Sequence, residues 1–67
     1  ILGESDPLYD KAVDLVLRER RATISFVQRH LGVGYNRAAN LLEAMEEARI
    51  VSKANSMGRR EILVPEN

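Results

Sequence analysis

The segment Gly32-Val33-Gly34 constrains this chain more than any other feature, because two amphipathic stretches meet across it with almost no room between them. On its N-terminal side, Ser25-Phe26-Val27-Gln28 has the capping-box pattern, in which the serine hydroxyl accepts a backbone N–H and glutamine reaches back to the cap. That predicts a short helix from Phe26 to about Leu31, with Gly32 placed to end it in a left-handed conformation. On the other side a third helix is predicted from Tyr35 to about Ala48. Ala38, Leu41, Leu42 and Met45 cluster on one face of it, and Asn36, Asn40, Glu43 and Glu47 on the opposite face, with Ala39 and Ala44 flanking the polar stripe. Two helices joined by a three- or four-residue turn containing glycine make a helix-turn-helix.

The flanks complete a known architecture. Asp6-Pro7 suits a helix start, with aspartate at the cap and proline at the first helical position. Tyr9, Ala12, Val13 and Val16 then share one face, and this first helix is expected to run to about Arg20. Thr23-Ile24 reads as a short extended link or strand. After the third helix, Ile50-Val51-Ser52 and Arg60-Glu61-Ile62-Leu63-Val64 read as strands, joined by a turn-forming, basic segment from Lys53 to Arg59 and closed by Pro65. Three helices followed by a β-hairpin wing define a small α+β winged helix-turn-helix, here over residues 6–65, with 1–5 as a linker or cloning remnant and 66–67 as a tail.

Composition narrows the function classes. The chain has 67 residues, 45% of them hydrophobic, which suffices for one core, and no apolar run long enough to cross a bilayer. It contains no cysteine, and a lone histidine, His30, lacks the partners that zinc sites or catalytic triads need. Gly32-Val33-Gly34 lacks the length and the trailing lysine of a phosphate loop. No enzyme activity, metal or cofactor is expected. Ten basic residues balance ten acidic ones, but five arginines and His30 fall between Arg18 and Asn40 against the single acid Glu19. A neutral total therefore conceals a basic region that suits phosphates.

On this scaffold the third helix is expected to enter the major groove of duplex DNA. Asn36 and Asn40 suit adenine, Arg37 suits guanine or a phosphate, and Glu43 suits the cytosine amino group. Arg29, His30 and Tyr35 are candidates for the DNA backbone, and Lys53, Arg59 and Arg60 for contacts from the wing. Each also has a plainer role. Asn36 is a possible helix-start residue, Glu43 a solubilising acid, Arg37 a partner for a neighbouring Glu, and Arg60 a counter-charge for the acids of the third helix. A protein-interaction winged helix and a fragment of a transcriptional regulator share the same pattern.

The run Val27 to Glu46, and within it Gly34-Tyr35-Asn36-Arg37-Ala38-Ala39, closely resembles the helix-turn-helix core of the gamma domains of FtsK/SpoIIIE-family DNA translocases. The resemblance continues upstream through Asp6 to Val13 and downstream through Ile50 to Ser52, Gly58 and Arg60 to Pro65, covering nearly the whole chain after Ser5. It implies the cytoplasmic, sequence-reading domain of a membrane-anchored hexameric motor at the division septum, with no membrane contact of its own. It further implies recognition of short, polar, G-rich sites (KOPS) that set translocation direction, and contact with the XerD tyrosine recombinase. Asn36, Arg37 and Glu43 match the family's base-reading positions, whereas family members commonly carry arginine where this chain has Asn40. Arginine suits guanine and asparagine suits adenine, so that difference bears on the base read there.

Overall fold

The computed structural model of the chain describes residues 3–65. Its first helix, α1, spans Tyr9–Glu19 and begins later than Asp6-Pro7 suggests. The Asp6 carboxylate accepts the Leu8 N–H at 2.8 Å and is also held from the third helix, but the turn it closes does not continue as helix until Tyr9. Residues 3–8 form turns instead, with Asp6 N–H donating to the Gly3 carbonyl at 3.2 Å and Tyr9 N–H to the Asp6 carbonyl at 2.9 Å. α1 buries Ala12, Leu15 and Val16 and ends at Arg20, whose φ of 56° is left-handed.

Helix α2 spans Ile24–Leu31, two residues earlier than the serine-based capping pattern predicts. Thr23, extended at φ −102° and ψ 151°, is the N-cap, and its hydroxyl accepts the Phe26 N–H at 3.3 Å. Thr23 is the first hydroxyl after the α1 turn, and including Ile24 in the helix packs that side chain against the core. The Ser25–Gln28 box is therefore not used. Gly32, at φ 66°, closes the helix as expected, with its N–H on the Gln28 carbonyl.

Gly34 is extended and opens α3, Tyr35–Glu47. Ala38, Leu41, Leu42, Ala44 and Met45 are buried. Ala44 therefore belongs to the core, not to the border of the polar stripe. The N-terminal turns account for this: Gly3 packs against the peptide of Asn40 and Asp6 grips Arg37, positions that share one edge of α3 with Ala44. The core joins all three helices through Ala12, Val16, Ala22, Val27, Ala38, Leu41, Leu42 and Met45, and Val51 closes it from beyond α3.

The two segments expected as wing strands run antiparallel but meet in one β-bridge, Val51 to Ile62, and no regular strand forms among the described residues. Ser52 N–H donates to the Glu61 carbonyl and Leu63 N–H to the Ile50 carbonyl, both at 2.8 Å. Side chains take the next rung: Glu61 N–H donates to the Ser52 hydroxyl, and the Ser52 carbonyl accepts from the Arg60 guanidinium. The loop between is nonetheless organised. Asn55 Oδ1 accepts the Met57 and Arg59 N–H groups at 2.9 and 3.0 Å, and Gly58 turns at φ 77°.

Candidate nucleic-acid interface

The outward face of α3 follows from its core face. At about 100° per residue, burying Ala38, Leu41, Leu42 and Met45 turns Asn36, Asn40, Glu43 and Glu47 to the opposite side. Asn36, Glu43 and Glu47 are exposed and Asn40 is half-buried. Asn36, Asn40 and Glu43 make no side-chain hydrogen bond or ion pair among the described residues, which leaves their donors and acceptors to solvent or a ligand.

Each edge of this stripe is tied down by an arginine. On one edge Arg37 donates from Nε and Nη2 to the two carboxylate oxygens of Asp6, at 2.7 and 2.8 Å. Those bonds, with the Leu8 N–H, hold the Asp6 carboxyl down at about 2, and the same pairing raises the Arg37 pKa. On the other edge Glu46 takes Arg60 Nη1 at 2.6 Å, and the Arg60 side chain is only 9% exposed. Of the residues predicted from sequence, Arg60 thus serves as a counter-charge for α3 at the root of the loop, and Arg37 sits in a bidentate pair before any ligand arrives.

The remaining candidates lie where the elements carry them. Tyr35, at the first turn of α3, is 61% exposed. Arg29 and His30 occupy the last turn of α2 and are exposed, where cations complement the helix dipole. His30 Nδ1 lies 3.1 Å from the Phe26 carbonyl, to which it donates in the Nδ1–H tautomer, and its ring rests against that of Phe26 with centroids 4.2 Å apart. Lys53 and Arg59 project from the 53–59 loop and are exposed. Sequence reasoning missed Asp6 as the partner of Arg37. Asp6 reads from the sequence as a helix cap, and no local pattern marks it as the partner of Arg37. Among the described residues no group of His, Cys, Asp or Glu is arranged to hold a metal ion, and no helix is long and apolar enough to cross a membrane.

A three-helix unit with a glycine-linked helix pair, whose second helix presents an unpaired asparagine-rich face, defines a small helix-turn-helix domain. The chain belongs to the Ftsk gamma domain family, whose sequence profile matches residues 3–65. It is 67% identical over 63 residues to DNA translocase FtsK 2 of Ralstonia nicotianae, covering 94% of this chain and 8% of that protein. To DNA translocase FtsK of Rhizobium meliloti it is 58% identical over 64 residues, covering 96% and 7%. The corresponding protein of Pseudomonas syringae pv. tomato is 60% identical over 63 residues, covering 94% and 8%. The chain thus spans less than a tenth of the length of these relatives, and corresponds to a gamma domain.

Proposed function

We propose that this domain reads duplex DNA in a sequence-specific way and gives direction to a chromosome-segregating translocase, acting as a winged helix-turn-helix with the 53–60 loop as its wing. The observation that carries the reading is the α3 face, where Asn36, Asn40 and Glu43 stand without partners among the described residues on a helix held by the core behind it. A side chain that already has its hydrogen bonds gains little from a base edge, whereas an unpaired one on a fixed helix loses only water.

In this reading α3 enters the major groove by its N-terminal turn. Asn36 and Asn40 contact adenines, Glu43 accepts from a cytosine amino group, and Tyr35, Arg29 and His30 meet the flanking backbone. Lys53 and Arg59 reach phosphates from the wing. Arg37 contacts a guanine or a phosphate only by exchanging Asp6 for it, so its contribution is smaller than that of an unpaired arginine. The target is a short, polar, G-rich site, and Asn40 shifts the base preference at one pair relative to family members with arginine there. Several copies tethered to one motor hexamer would read such an asymmetric site together. Family membership also supports contact with the XerD recombinase at the septum.

The test is fluorescence anisotropy of a labelled duplex carrying the polar G-rich motif against its scrambled form, across a salt series. Tighter binding of the motif at every salt concentration is expected. Equal affinity throughout would leave only phosphate attraction and refute the specificity. Asn36→Ala should cut the motif-to-scramble ratio by about 5- to 150-fold, the equivalent of one bidentate base contact.

A further inference from the structure

Four arginines converge on one cleft beside the interface. Arg20, Arg21, Ala22 and Thr23, from the α1–α2 turn, line one wall, and Arg59 and Arg60, from the end of the 53–60 loop, line the other, around an open volume of about 420 Å³. Among the described residues no acidic side chain lines it. Arg60 is paired with Glu46, so the exposed guanidiniums of Arg21 and Arg59 are the ones that suit an anionic occupant.

The cations are mounted on fixed roots. Arg60 is anchored by Glu46 and by the Ser52 carbonyl, which also joins the cleft to the edge of the α3 stripe. The backbone at Arg20 is left-handed, and its Nη2 donates to the Val64 carbonyl at 2.8 Å. Arg21 and Arg59 are exposed. The Arg21 guanidinium lies 5.8 Å from the centroid of the Phe26 ring, and the Arg59 N–H is fixed by Asn55. Thr23, on the cleft wall, caps α2, so the positive end of that helix opens at the same place. Guanidinium forks match tetrahedral phosphate oxygens, and a cleft open to solvent admits a phosphate that is part of a continuous strand.

We propose that this cleft is a phosphate site, and that on duplex DNA it holds a backbone phosphate flanking the bases that α3 meets. Arg21 and Arg59 donate directly, with the Thr23-capped N-terminus of α2 beside them. The duplex ligand rests on the function proposed above; the phosphate chemistry does not.

The 15N-labelled chain titrated with inorganic phosphate should show amide shifts confined to Ala22, Thr23, Arg59 and Arg60, absent in an Arg21→Gln/Arg59→Gln variant that keeps the wild-type circular dichroism. In duplex binding, each single substitution should lower the slope of log K against log salt by about 0.9, and the pair by about 1.8. If the wild type binds duplex and the double variant keeps its slope, the assignment is wrong. If the wild type fails to bind duplex but phosphate still moves those amides, the DNA-reading function falls and the phosphate site stands. If phosphate moves no cleft amide and the slopes coincide, the site is refuted altogether.

Discussion

Replacing Arg60 by alanine tests whether the loop after α3 is held by one charged side chain in place of a β-ladder. Arg60 donates to Glu46 at 2.6 Å and to the Ser52 carbonyl at 3.2 Å, with its side chain 9% exposed and that of Glu46 35% exposed. A hydrogen bond to a charged group contributes about 1.5–3 kcal/mol, and the longer one to the Ser52 carbonyl adds little to that of Glu46. Truncation also leaves Glu46 without its partner, but a carboxylate with a third of its surface in water rehydrates, so the 3–5 kcal/mol typical of roughly full burial does not apply. The expected loss is about 2–3 kcal/mol, which in a domain of this size lowers Tm by roughly 10–20 °C. Thermal unfolding followed at 222 nm measures it, and Arg60→Met, which keeps the apolar stem, should cost less. A double-mutant cycle with Glu46→Gln should give a coupling of about 1 kcal/mol or more. If Arg60→Ala unfolds within about 0.5 kcal/mol of the wild type, or the coupling vanishes, the pair holds nothing and the account of the loop fails.

Other perturbations follow from the same contacts. Asp6 has its folded-state pKa lowered to about 2, so the Asp6–Arg37 contribution is fully present above the ordinary carboxylate pKa near 4 and is lost as pH falls from there towards 2. Carboxyl carbon shifts through an NMR pH titration check this, and an Asp6 midpoint near 4 would show that the pair is absent in solution. Leu41 is fully buried, so Leu41→Ala should cost about 2–5 kcal/mol out of the roughly 3–10 kcal/mol available to a chain this long, visible as partial unfolding at 37 °C. Arg49 sits just past α3 at φ 61° with its side chain exposed, so Arg49→Gly should stabilise by about 0.5–1 kcal/mol; a drop in Tm would contradict that geometry.

The helices were legible in the sequence because periodicity and glycine are local signals. Gly32 ends α2 in the left-handed conformation it was expected to adopt, and α3 begins at Tyr35 and stops one residue short of Ala48. The cap of α2 was misread because two hydroxyls compete there, and packing of Ile24, a tertiary effect, favours Thr23 over Ser25. The wing segments pair antiparallel but only through one bridge, since the Ser52 hydroxyl and Arg60 guanidinium take hydrogen bonds that a ladder would use. The residues of the candidate interface could be named from the sequence, but their electrostatic state could not. Asp6 and Arg37 lie 31 positions apart, Glu46 and Arg60 lie 14 apart, and no periodicity relates one element's register to another's.

Gly3 is the least conspicuous contact in the domain, yet it couples the chain's first turn to the face that α3 presents. A methyl group added there would collide with the carbonyl of Asn40. The turn would have to lift off the helix, drawing Asp6 away from Arg37, since Asp6 N–H donates to the Gly3 carbonyl. Arg37 would then swing out as an unrestrained cation beside Asn36 and Asn40. If α3 reads bases as proposed, its selectivity then depends in part on a residue that no nucleotide would touch.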